Sequence, residues 1–164
     1  MRLWLALIFL ALPAQAADFR LLVGHGGPVM STAISEDGQY ALTASFDNSV
    51  GLWALDGEEV TWLDGHAAAV KTAIFLGDGR AASGGDDFAI ELWDLATGTH
   101  RRLEGHQGQI NGLAYHGDLL ASASWDGSVG LWSLTDGSQI ASFTGHGGIV
   151  TDCLLYTSPS PRDS

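Results

Sequence analysis

The stretch at residues 65–94, GHAAAVKTAIFLGDGRAASGGDDFAIELWD, decides the fold of this chain because its pattern returns along the sequence. The opening Gly-His pair recurs with a period of about 40 residues, at Gly24-His25, Gly65-His66, Gly105-His106 and Gly145-His146. Three of the four copies lead to a β-prone segment that contains Trp53, Trp93 or Trp132. A period of this length is typical of a stack of similar units rather than of one irregular domain.

Each complete unit contains four short β-prone segments separated by turn-forming residues. The segments lie at 29–35, 40–45, 49–55 and 59–63, then at 70–76, 80–83, 89–94 and 100–103, and finally at 110–115, 119–124, 128–133 and 139–143. Four antiparallel strands in about 40 residues match one propeller blade. The sequence therefore predicts an all-β chain, a partial β-propeller of three complete four-stranded antiparallel blades with an extra N-terminal strand at 18–22.

Fixed offsets within the units carry a resemblance to a known family. A Trp-Asp pair, Trp93-Asp94, closes the third predicted strand of the second unit, and an Asp six residues and a Ser or Thr ten residues before each such Trp recur in all three units. These units resemble the WD-repeat family of β-propellers. The resemblance implies a hydrogen-bonded chain of four side chains in each blade: His25, Thr43, Asp47 and Trp53; His66, Ser83, Asp87 and Trp93; His106, Ser122, Asp126 and Trp132.

Repeated Ser, His and Asp residues also suggest hydrolase or metal chemistry, and the spacing argues against both. A catalytic triad needs one set of residues at one open site, whereas this set occurs three times with a Trp donor that needs a buried acceptor. The repeat histidines, including His146, lie one to a unit and do not converge on one ion. The sequence therefore predicts no catalytic residue, no metal site and no cofactor.

The residue before each turn Asp is the candidate partner-binding position, since in this family it projects toward the rim of the central channel. These residues are Phe46, Asp86 and Trp125, with Phe88 and Trp62 as weaker candidates. Exposed aromatic side chains often carry the binding energy of an interface. We therefore expect a protein partner, unless these side chains pack on neighbouring loops instead.

The chain termini give separate expectations. Residues 1–16 have the pattern of a secretory signal peptide, with Arg2, an apolar run at 3–12 and an Ala14-Gln15-Ala16 cleavage site. This pattern predicts an exported protein, periplasmic or extracellular, of a bacterial type, with no membrane insertion after cleavage. Residues 153–164 resemble a translated sequencing adaptor, so Cys153 is not expected to be a natural residue.

The unit boundaries are about 18–55, 56–95, 96–134 and an incomplete 135–152. Propellers close with about 4–8 blades, so 17–152 is expected to be the N-terminal part of a longer ring. In the family, the first strand, here 18–22, completes the last blade.

Composition narrows the functional class. The net charge is −12 and Lys71 is the single lysine, which argues against nucleic-acid binding because phosphate contacts need clustered basic residues. We favour a non-catalytic scaffold for protein interactions outside the cytoplasm. The alternatives are a docking propeller fused to a c-type cytochrome domain, or a propeller enzyme whose site lies outside this sequence.

Overall fold

The computed structural model describes residues 21–57 and 59–154, and within them it contains strands and no helix. The twelve strands are β1 (Val29–Ile34), β2 (Tyr40–Ser45), β3 (Val50–Ala54), β4 (Val60–Leu63), β5 (Val70–Gly77), β6 (Arg80–Gly85), β7 (Ile90–Asp94), β8 (His100–Leu103), β9 (Ile110–His116), β10 (Leu119–Ser124), β11 (Ser128–Ser133) and β12 (Gln139–Thr144). The predicted all-β class is confirmed, and the strand ends agree with the predicted ones to within two residues.

Sheet topology is the same in all three units. The strands pair in chain order as antiparallel ladders, giving the sheets β1-β2-β3-β4, β5-β6-β7-β8 and β9-β10-β11-β12. Tight turns make this meander possible, since four strands fit in so few residues only with short hairpins. Gly38, for example, has φ 69° in the β1–β2 turn, a left-handed conformation that glycine adopts at little cost.

The blades stack through small and branched side chains between neighbouring sheets. Two strands of the first blade, β1 and β2, contact β5 of the second, while β5 and β6 contact β9 of the third. Two buried clusters fill these interfaces, one around Leu42, Val50 and Val70 and one around Ile90, Ile110 and Leu120. Gly84 lies under Ile110, where an added Cβ would come within 2.7 Å of the Ile110 side chain. Small residues on the inner strands thus allow close approach of the blades.

The predicted segments outside the three blades are only partly described. Of the predicted strand at 18–22, Leu21 and Leu22 are described and neither is in a strand. The described part of the fourth unit has no strand after β12, although the Val150 N–H donates to the Ser124 carbonyl at 3.0 Å. The proposed signal peptide (1–16) and most of the proposed adaptor-derived tail lie outside the described residues and stay predictions. No helix in the described residues is long and apolar enough to cross a membrane.

Candidate functional site

Each blade contains one chain of hydrogen bonds that runs from a buried indole to a turn carboxylate. In the first blade the Trp53 indole donates to Thr43 Oγ1 at 2.8 Å, the hydroxyl meets His25 Nε2 at 2.6 Å, and His25 Nδ1 meets Asp47 at 2.9 Å. The other blades repeat these contacts at 2.8, 2.8 and 3.0 Å through Trp93, Ser83, His66 and Asp87, and at 2.8, 2.7 and 2.9 Å through Trp132, Ser122, His106 and Asp126. The structure brings the four residues together in every blade.

The direction of donation along each chain follows from the groups at its two ends. An indole N–H only donates and an ionised carboxylate only accepts, so the hydroxyl donates to His Nε2 and His Nδ1–H donates to the Asp. The carboxylate also accepts backbone amides, as Asp47 does from Gly26 at 2.7 Å and from Ser49 at 3.0 Å. The hydrogen-bond chain therefore connects the loop before β1 to the β2–β3 turn. It also satisfies buried polar groups that would otherwise cost about 1–3 kcal/mol each.

This arrangement does not favour hydrolysis. The Ser83 and Ser122 side chains are completely buried. Each of these hydroxyls already accepts from an indole and donates to an imidazole, so it is not presented to a substrate as a nucleophile.

Two further hydroxyls join the chains, and the sequence interpretation missed them. Ser49 donates to Asp47 Oδ1 at 2.6 Å and lies 3.2 Å from His25 Nδ1, and Ser128 makes the same contacts with Asp126 and His106 at 2.6 and 3.1 Å. A serine two residues after an aspartate is a common turn pattern, so the sequence did contain the signal. The second blade has Ala89 at this position.

The pKa values of the three turn aspartates are lowered. Burial alone would raise the pKa of Asp47 and of Asp126, but hydrogen bonds from Ser49 and Ser128, from backbone amides and from the paired histidines outweigh burial and hold both values well below the usual range. For Asp87, burial is outweighed by the interaction with His66 and by hydrogen bonds that include one from Arg102, and its pKa is lowered too.

Acid should destabilise the fold through these carboxylates. An unfolded aspartate has a pKa of about 3.9, and the folded values are lower, so the native state binds fewer protons. Their stabilising contribution is full above that value and is lost as the pH falls toward the folded pKa values. We expect the urea midpoint to fall more steeply below about pH 4 in the wild type than in Asp126→Asn, which lacks one of these carboxylates. Equal pH slopes for the two proteins would contradict this assignment.

Among the described residues, the second blade carries a buried ion pair that has no counterpart at the equivalent positions of the other two blades. Glu91 is fully buried, and its Oε1 accepts from Arg102 Nη1 at 2.8 Å. The same Nη1 donates to Asp87 at 3.0 Å. Burial alone would lower the pKa of Arg102, but its hydrogen bonds with both carboxylates outweigh burial and raise that pKa above its already high usual value. Arg102 thus links the outer strand β8 to the hydrogen-bond chain of its blade.

The register shows what replaces this pair in the neighbouring blades. Glu91 lies opposite Arg102, while Gly51 lies opposite Trp62 and Gly130 opposite Ser142. A Cβ on Gly51 would come within 2.7 Å of the Trp53 indole nitrogen, so glycine at this position leaves space for the hydrogen-bond chain of the first blade. Trp62 packs over the first chain, with its ring centroid 4.8 Å from that of His25. The three blades therefore use three different cross-strand pairs at one position.

One trio of possible metal ligands lies in the second blade. Atoms of His66, Asp87 and Glu91 lie within 4.8 Å of one another. The prediction of no metal site was argued from the histidines and did not consider Glu91 beside His66 and Asp87, so it missed this trio. Arg102 donates to both carboxylates and already supplies the positive charge there. An ion would have to displace this guanidinium.

The candidate rim residues lie together on the face formed by the β2–β3, β6–β7 and β10–β11 turns. Phe46 is 52% exposed and Trp125 is 48% exposed. Asp86 is less available, because Lys71 Nζ lies 3.4 Å from its carboxylate and 4.8 Å from the centre of the Phe46 ring. Phe88 is also exposed on this face, whereas Trp62 lies over the first hydrogen-bond chain.

Three stacked four-stranded meanders, each closed by an indole–hydroxyl–imidazole–carboxylate chain, define a repeat-built β-propeller. The family model described as WD domain, G-beta repeat matches residues 18–54, 57–94 and 98–133, and the chain belongs to this family.

Several curated relatives and solved structures are similar to the chain. Ribosome biogenesis protein YTM1 of Eremothecium gossypii is 32% identical over 62% of this chain and 26% of its own length. Small ribosomal subunit protein RACK1y of Oryza sativa is 33% identical over 78% of this chain and 54% of its own length. The structure of U3-55K superposes with a TM-score of 0.78 at 26% identity, covering 85% of this chain and 46% of that one. The chain spans about a quarter of the YTM1 relatives it matches.

These relatives correct the predicted location. Periplasmic or extracellular export was expected from the pattern at residues 1–16, and this prediction is wrong. The matched relatives are named for ribosome biogenesis and for the small ribosomal subunit, which point to the cell interior. They come from fungi and a plant, so they do not support a bacterial secreted protein either.

Proposed function

We propose that this chain is a non-catalytic scaffold that binds a protein partner through the turn rim, defined here as Phe46, Phe88 and Trp125. The observation that supports it is the exposure of three large aromatic side chains on one face of three successive blades. Aromatic residues are enriched among the residues that dominate interface energy. The hydrogen-bond chains hold the turns beneath them rigid, which lowers the entropy cost of binding.

Backbone strain at Phe88 supports the same face. Asn48, Phe88 and Gly127 occupy equivalent turn positions with φ of 73°, 65° and 83°. Asparagine and glycine adopt this left-handed conformation readily, whereas a bulky residue pays roughly 1–2 kcal/mol. Strained residues of this kind cluster at functional sites. The turn does not need phenylalanine, since asparagine forms the same turn in the first blade, and Phe88 is 44% exposed, so we assign it to binding.

The relatives suggest the kind of assembly. YTM1 is named for ribosome biogenesis and RACK1y for the small ribosomal subunit. We infer that the partner is a protein component of such an assembly and not its RNA, because the chain has a net charge of −12 and would repel phosphates.

The rim is tested by crosslinking followed by affinity measurement. A photo-crosslinking residue placed at Phe46 identifies the partner. The Kd of the partner is then measured for Trp125→Ala, Phe88→Asn and the control Ile140→Ala. The Ile140 side chain is also exposed, but it lies on outer strand β12. We expect losses of about tenfold or more for the two rim variants and under about twofold for the control. Phe88→Asn should at the same time stabilise the chain by about 1 kcal/mol. Unchanged affinity in both rim variants would refute the proposal.

A further inference from the structure

A second surface lies at the opposite ends of the strands from the turn rim. The ends of β1, β3 and β5 and the turns after them enclose an open groove of about 1200 Å³ between the first and second blades, reaching Tyr115 in the third. The register places these ends away from the rim, since Ile34 pairs with Ala41 while Val29 pairs with Ser45 beside Phe46. This groove is therefore separate from the rim and exceeds the roughly 300–1,000 Å³ of small-molecule pockets.

Apolar side chains in the groove are open to solvent. Ile34 is 61% exposed, Tyr40 is 41% exposed and Tyr115 is 38% exposed, and all three line the groove. Ile34 and Tyr40 come from the paired strands β1 and β2 of the first blade, and blade stacking brings Tyr115, on β9 of the third blade, to the same groove. Exposed apolar patches that are rimmed by polar groups mark interaction sites.

The charged residues of the groove have one predominant sign. Four carboxylates line it, those of Glu36, Asp37, Glu59 and Asp78, against a single cation, Arg80. Within residues 21–57 and 59–154, the salt bridges involve none of these four carboxylates. Ser35 and the Gln39 amide donate to Asp37, which lowers its pKa and keeps it ionised. The groove thus presents unneutralised negative charge around an apolar floor.

We propose that this groove is a second docking site, for a basic segment of a partner protein that also carries aliphatic or aromatic side chains. Lysine and arginine of such a segment would meet the four carboxylates, and its apolar side chains would cover Ile34, Tyr40 and Tyr115. Charge complementarity of this kind selects a partner and speeds its association. A nucleic acid or an acidic peptide would be repelled from the same surface.

The probe for this site is a short fluorescein-labelled peptide of alternating arginine and leucine, and binding to the full chain is followed by fluorescence anisotropy. We expect Glu36→Lys with Glu59→Lys to weaken binding by at least tenfold, or about 1.4 kcal/mol, and Ile34→Ser to weaken it about fivefold. A peptide of alternating glutamate and leucine should not bind.

Matched controls separate this site from general charge attraction and from the rim. Asp64 is exposed after β4, at the rim end of its strand, so Asp64→Lys makes the same kind of charge change elsewhere and should alter the affinity by under about twofold. Trp125→Ala should leave peptide binding unchanged, which distinguishes failure here from failure of the rim. A loss for Asp64→Lys as large as that for Glu36→Lys with Glu59→Lys, or no binding of the basic peptide below about 1 mM, would overturn the proposal.

Discussion

Replacing Arg102 by serine is expected to destabilise the protein by about 3 kcal/mol, because buried Glu91 loses its guanidinium partner and Asp87 loses one of its donors while keeping His66. Glu91 is fully buried and the Asp87 side chain is only 5% exposed, and Arg102 Nη1 donates to both. The Arg102 side chain is 34% exposed, so water partly solvates the carboxylates once the guanidinium is removed. The expected loss of stability therefore lies at the lower end of the usual range for a broken buried ion pair. Urea denaturation followed by tryptophan fluorescence measures the change.

The neighbouring blades supply the control for this variant. Glu91→Gly with Arg102→Ser reproduces the Gly130 and Ser142 pair of the third blade, and Ala89→Ser adds the hydroxyl that Ser128 supplies there. Because the buried charge is removed together with its partner, we expect this triple variant to unfold within about 1 kcal/mol of the wild type, the remaining cost being glycine in a strand. A triple variant as unstable as Arg102→Ser alone would show that the loss comes from packing and not from the uncompensated charge.

Much of the fold was predictable because its signals are local and repeated. Turn residues mark each hairpin, and the fixed offsets between Asp87, Trp93 and their equivalents in the other blades place the members of each chain on the correct strands. The Glu91–Arg102 pair was not predicted, although the sequence contains an indication of it. A charged residue stands where the other units have glycine, and pairing of Trp93 with His100 places Glu91 opposite Arg102.

Other features depended on tertiary contacts that a repeat pattern does not specify. The exposure of Phe46 is set partly by Lys71, which lies on the next blade. The acidic groove forms only where the ends of β1 and β5 stack side by side, so its residues are far apart in sequence.

Replacing Trp93 by alanine is expected to have the largest effect of any single change, a loss of about 3–5 kcal/mol. The side chain is 1% exposed and packs in the cluster between the first and second blades with Leu42, Leu63 and Val70. The substitution opens a cavity there and removes the indole donor of Ser83, so the hydrogen-bond chain of the second blade loses its first member. The lost packing and the lost hydrogen bond therefore both destabilise the folded state.

Two variants separate these contributions. Trp93→Phe keeps most of the volume and removes the N–H donor, so its expected cost is about 1–3 kcal/mol, from a small void and from the Ser83 oxygen, which loses its donor while the hydroxyl still donates to His66. Trp62→Ala removes an indole of equal size that is 37% exposed on the outer strand, and we expect it to cost less than half as much as Trp93→Ala. Urea denaturation of the three variants gives the ranking. If Trp62→Ala were as destabilising as Trp93→Ala, the stability of the stacked blades would depend on their outer surface rather than on the interface between them.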